Sequence, residues 1–171
     1  MKKLYVLMLS LLLISCGEDD PVLEPVEAMI VTNLAAKTTS GPGQPPAGDF
    51  VKFSFAKQTT VEGDDWDIAF RATTILVNGG FSGASDEPSR SGMGSGYVAV
   101  GNYGSIKSVE ESLLVQDSET AKAIPTGSGN GWYNYDPQTY LITPIAGRTL
   151  VFKTHNGRYA KMEIQSYYKD A

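Results

Sequence analysis

A hydrophobic period of two between residues 50 and 71 is the strongest constraint on how this chain folds. In "FVKFSFA" Val51, Phe53 and Phe55 fall on one face, with Lys52 and Ser54 on the other. In "DDWDIAFR" Trp66, Ile68 and Phe70 alternate with Asp67, Ala69 and Arg71. Successive side chains of an extended strand point to opposite faces, so this pattern with aromatic and β-branched residues marks half-buried strands. Between them and beyond them, 18 glycines and 9 prolines interrupt the chain, leaving few long amphipathic runs. The expected fold is all-β, a single antiparallel β-rich domain.

Other segments extend the reading. Ala28 to Thr32 is a first strand candidate, and "KTTSGPGQPPAGD" at residues 37 to 49 is a loop, because Pro and Gly dominate it. "TTILVNGGFSG" and "SRSGMGSGYVAVG" read as strand, glycine-rich flexible excursion and strand. A short helical turn fits within "SVEESLLVQDSETAKAI", while "GSGNGWYNYDP" runs from a turn into an aromatic strand ended by Pro137, and "TYLITP" is another short strand. In "GRTLVFKTHNGRYAKMEIQSYYKD" the pair Asn156-Gly157 supplies the two positive-φ positions of a type I′ turn. That register sets Val151 opposite Met162 and Thr149 opposite Ile164.

The amino terminus is of another kind. Met1-Lys2-Lys3 is basic and Leu4 to Ile14 is almost wholly apolar, a secretory signal too short to span a bilayer as a helix. Leu13-Ile14-Ser15-Cys16 followed by Gly17 has the form of a bacterial lipobox. Residues 1–15 are then a lipoprotein signal peptide, and Cys16, the sole cysteine, is the lipidated first residue of the mature chain. Several acyl chains anchor stably, at about 0.8 kcal/mol per buried methylene. Residues 16–27 form an acidic tether and 28–171 the β domain. Gly17-Glu18-Asp19-Asp20-Pro21 is similar to the export signal of Bacteroidetes lipoproteins, which implies the cell surface of the outer membrane.

Charge and side-chain inventory exclude several functions. Losing Lys2 and Lys3 with residues 1–15 moves the formal net charge from −5 to −7. An acidic chain without a basic stripe is a poor partner for nucleic acid. His155 is the sole histidine, so no two-histidine metal site forms within one chain, and it reads as an exposed hairpin residue. No Gly-x-Ser-x-Gly elbow and no phosphate loop appears, and no enzyme is expected. Asp64, Asp65 and Asp67 read as surface acids, with a weak calcium contact as the alternative. Met93, in the polar setting "SGMGSG", has no core to join and carries a soft thioether of the kind that ligates haem iron.

"DDWDIAFR", "VNGGFSGAS" with its trailing glycines, "GWYNYDP" and the final "GRTLVFKTHNGRYAKMEIQSYYKD" together resemble the HmuY family of Bacteroidetes surface lipoproteins, over roughly Phe50 to Asp170. The resemblance implies an all-β fold and haem binding for iron acquisition. Its partners would be haem or a haem-carrying host protein, with iron held between axial side chains from loops. The loops before "GWYNYDP" and "GRTLVF" contain neither His nor Met, which leaves Met93, Tyr135 and Tyr140 as the haem-binding candidates. A further strand is expected after "YYKD", so the domain reads as lacking its C-terminal strand. An edge at Tyr167 and Tyr168 would then invite pairing into a homo-oligomer. The competing expectation is a non-catalytic surface interaction or structural lipoprotein of the same fold that binds no haem.

Overall fold

The computed structural model describes residues 26–41 and 44–170; the segment expected to be a signal peptide, Cys16 and most of the expected tether lie outside them. Every strand pairing within its sheets is antiparallel. The first sheet has four strands in the order β2-β1-β3-β4, formed by β1 (Val51–Ser54), β2 (Thr59–Thr60), β3 (Ile68–Arg71) and β4 (Thr74–Val77). The second orders β5 (Ser95–Val100), β8 (Arg148–Lys153) and β9 (Tyr159–Met162) as β5-β8-β9. A two-stranded hairpin, β6 (Tyr133–Tyr135) with β7 (Ile142–Pro144), stands apart from both. The expected helical turn is a single 3₁₀ turn at Glu111–Leu113.

The core explains the pattern. Phe53, Ile68, Ile75 and Val77 of the first sheet meet Leu150 and Phe152 of the second, with Ile124, Trp132 and Tyr133 in the same cluster. The other face of the first sheet carries a smaller cluster of Trp66, Ala69 and Leu76, flanked by Phe50 and Val61. The register Ile68↔Val77, Ala69↔Leu76, Phe70↔Ile75 sorts the residues between the two clusters. Both faces of this sheet are covered, so "ILV" in β4 is apolar without alternation.

Four expectations need correction. Ala28 to Thr32 forms no strand. Met29, Ile30 and Val31 stay largely exposed, and the segment is tied instead through Asn33 to Asp170 and through the Ala36 carbonyl to the Ala72 amide. Trp66 does not share a face with Ile68: it lies before β3 begins and packs with Ala69 and Leu76. The period breaks at Asp67, whose carboxylate is engaged by donors outside the strand.

The third correction concerns the last hairpin, which exists one residue out of the expected register: Leu150 faces Met162 and Val151 faces Lys161. Gly157 alone takes a positive φ, at 89°, while Asn156 does not. The Gly157 amide donates to the Thr154 carbonyl and the Thr154 amide to the Arg158 carbonyl, closing a three-residue loop in place of a type I′ turn. A slip of one residue exchanges the faces of a strand. Fourth, β9 ends at Met162, so Tyr167 and Tyr168 form no strand edge. Tyr167 packs on Trp132 and Tyr168 on Tyr167.

Candidate functional site

Two of the three sequence candidates share one hairpin. Tyr135 ends β6, opposite Ile142, and Tyr140 lies in the turn that leads to β7. Asp136 builds that turn. Its carboxylate accepts from the Thr139 hydroxyl at 2.7 Å and the Gln138 amide at 2.8 Å, and these bonds hold it below the usual carboxylate range. Tyr140 sits at φ 60°, a left-handed conformation that is uncommon for a bulky residue, and its side chain is 75 % exposed. Tyr135 and Leu141 are also exposed.

Beneath this tip lies a fixed aromatic base. The Trp132 indole N–H donates to the Thr73 carbonyl at 3.0 Å, and the ring lies 5.0 Å from Tyr133 and 6.2 Å from Tyr167. The Tyr168 hydroxyl accepts from the Ile142 amide at 2.9 Å, joining the C-terminal segment to β7. Burial, then the neighbouring Tyr168 and Tyr133, push the Tyr167 phenol above its ordinary value. The arrangement is an exposed Tyr135–Tyr140–Leu141 tip on an anchored aromatic base.

Met93 stands elsewhere, on the loop before β5. Its amide donates to the His155 carbonyl at 3.0 Å, and its side chain is 59 % exposed beside Gly157. The structure therefore brings Tyr135 and Tyr140 together and sets Met93 on a different loop. That glycine-rich loop is packed rather than free. A Cβ on Gly94 would stand 2.8 Å from the Asn78 backbone, and the Asn78 side chain accepts from the amides of Ser91 and Gly92.

His155 is not a free hairpin residue, nor is Asp67 a surface acid. Asp67 is 2 % exposed; one carboxylate oxygen accepts from the Phe55 amide at 2.7 Å, and the other meets both the amide and Nδ1 of His155, at 3.0 and 2.7 Å. A second buried polar centre also escaped the sequence reading. Asp117 is fully buried, and accepts from Arg90 at 2.7 Å and from the amides of Val77 and Ala123. Arg90 and Lys122 both hold Glu87, at 2.9 and 2.6 Å. Its sequence signal was the scatter of charges through a loop otherwise rich in Gly and Ser.

Two grooves open on the surface, about 290 Å³ beside Phe50, Arg71, Glu87 and Lys122, and about 400 Å³ between residues 31–35 and the β1–β2 edge. Neither is lined by Met93, Tyr135 or Tyr140. Among the described residues no group of three or more His, Cys, Asp or Glu side chains is placed to hold a metal ion.

An all-β domain of short antiparallel sheets, with an exposed tyrosine hairpin on an aromatic base, is the class of protein these observations define. The sequence model of the HmuY protein family matches residues 47–171, and the chain belongs to that family. No curated protein sequence matches it.

Proposed function

We propose that this protein binds haem and captures it for iron acquisition, held at the outer surface of the outer membrane by lipid on Cys16. The observation that carries the reading is the family match across residues 47–171. The lipobox at Leu13 to Cys16 supports the surface anchor. Haem recognition combines contact with the porphyrin ring and donation to its iron. The donors present suit that group: the phenols of Tyr135 and Tyr140 are exposed on one hairpin and are hard oxygen donors. Haem, when bound, would supply an iron able to take such donors. Tyr140, raised on its turn with Tyr135 and Leu141 beside it, is the residue best exposed to meet a ring face.

A second reading, a surface interaction protein of the same fold that takes no haem, is favoured by one observation. Met93 sits on a different loop from the two tyrosines. Haemin-agarose separates the two. Retention of the chain with release by free haemin supports capture, and passage of the chain unretained supports the interaction protein.

A further inference from the structure

The His155 turn has the construction of a metal ligand and its supporting carboxylate. A histidine that binds a metal through one ring nitrogen characteristically gives the other ring N–H to a carboxylate, which fixes the ring and raises its basicity. Asp67, buried, meets Nδ1 of His155 at 2.7 Å and also takes the His155 amide, so ring and backbone are both fixed. With Nδ1–H donated to Asp67, Nε2 carries the free lone pair. Among the described residues Nε2 has no hydrogen-bond partner and is not sealed in the interior. Met93 adds a second donor at this turn. Its amide is bonded to the carbonyl of His155 itself, and its terminal methyl lies 3.6 Å from where a Cβ on Gly157 would stand. An unbranched side chain with three rotatable bonds can bring its sulfur to a neighbouring ligand.

We propose that His155 Nε2 and Met93 Sδ form a binding site for a single soft, low-coordinate cation of the copper(I) class, with Asp67 as the positioning residue. A thioether paired with an imidazole selects a soft ion over zinc, calcium or magnesium, which take thiolate, imidazole and carboxylate, or oxygen alone. The surroundings favour a bare ion over a macrocycle here. Asp67, Thr154, Asn156, Ser91 and Asn78 make the hydrogen bonds around the turn, and they offer no apolar slot for a porphyrin. This site is separate from the tyrosine hairpin proposed for haem, so either can fail alone.

The test is an anaerobic titration with copper(I) against a chromogenic chelator, using the full chain with Cys16→Ser in every arm to remove the only thiol. The sole histidine gives one set of imidazole NMR signals to follow in parallel. The expected result is one equivalent of copper(I), with the His155 signals shifted. Affinity should fall at least tenfold in Met93→Leu and in His155→Ala, roughly ten- to a hundredfold in Asp67→Asn, and stay unchanged in Met29→Leu. Met93 is exposed, so Met93→Leu keeps the test decisive if Asp67→Asn does not fold. No binding, or binding equal in the parent, Met93→Leu and His155→Ala, overturns the proposal. Copper(I) affinity unchanged while haem binding is lost in those two variants would assign the pair to haem iron and overturn it equally.

Discussion

His155 Nδ1 lies 2.7 Å from Oδ1 of Asp67, and this contact ties the apex of the β8–β9 hairpin to the first residue before β3. It adds a polar tie between two sheets whose inner faces meet through apolar packing. Removing the carboxylate strands the half-buried Phe55 amide and the His155 amide together. Asp67→Ala is expected to destabilise the domain by about 3 kcal/mol, and His155→Ala, which leaves the Phe55 bond intact, by about 1 kcal/mol. Urea unfolding of the two variants and the parent measures both. Equal losses would show that the imidazole, not the backbone amides, is the partner that matters.

The Gly157 turn gives a second expectation. A φ of 89° is open to glycine and closed to a β-branched residue. Gly157→Val should cost about 1 kcal/mol or more, read as a lower melting temperature, while Asn156→Ala, at a position without positive φ, should cost less. A melting temperature for Gly157→Val equal to the parent's would contradict the three-residue loop.

Acid should weaken the loop around Glu87. Burial alone would raise the Glu87 carboxyl, but bonds from Lys122 and the Gly83 amide, with the charges of Lys122 and Arg90, hold it below its ordinary 4.5. A carboxylate with a depressed folded pKa contributes stability that is complete above the unfolded value and is lost as pH falls through the folded one. Stability of the parent should therefore decline as pH drops below about 4.5. Glu87→Gln should be less stable near neutrality and show a shallower decline. A parallel acid limb in both proteins would remove Glu87 from the account.

How far the sequence reached follows from these residues. The sheets were legible because strand patterning is a local signal: β1 and β3 fall within the stretches marked by period two, and β4, β5 and β8 within the segments read as strands. The turn at Asn156-Gly157 was legible as a turn but not in its register, since the dipeptide suits a two-residue loop as well as the observed three-residue one. The partnership of Asp67 and His155 spans 88 residues and leaves no local trace. The one hint was an acid set between Trp66 and Ile68, both of which are buried. Ala28 to Thr32 has strand composition but pairs with no strand, and composition alone cannot report that. Tyr135 and Tyr140 were reached only as the candidates left when the expected ligand loops held neither His nor Met; their placement away from Met93 depends on tertiary structure.

The anchor is tested by changing Cys16, which lies outside the described residues. Cys16→Ala should leave the protein unprocessed or released from membranes, whereas the parent should carry a diacylglyceryl mass on Cys16. Mass spectrometry showing an unmodified mature N-terminus away from Cys16 would sink the lipoprotein reading.

Haem binding is tested most directly by titrating the apo protein with haemin, with and without dithionite, and following the Soret band. The account predicts a shifted Soret band for the parent, weakened in Tyr140→Phe and further in Tyr135→Phe/Tyr140→Phe for ferric haem, because an oxygen donor favours the harder oxidation state. Met93→Ala, on a different loop from the two tyrosines, should leave both titrations unchanged. A parent protein that leaves the Soret band of free haemin unmoved in both oxidation states would contradict the central claim and assign the chain to surface interaction instead.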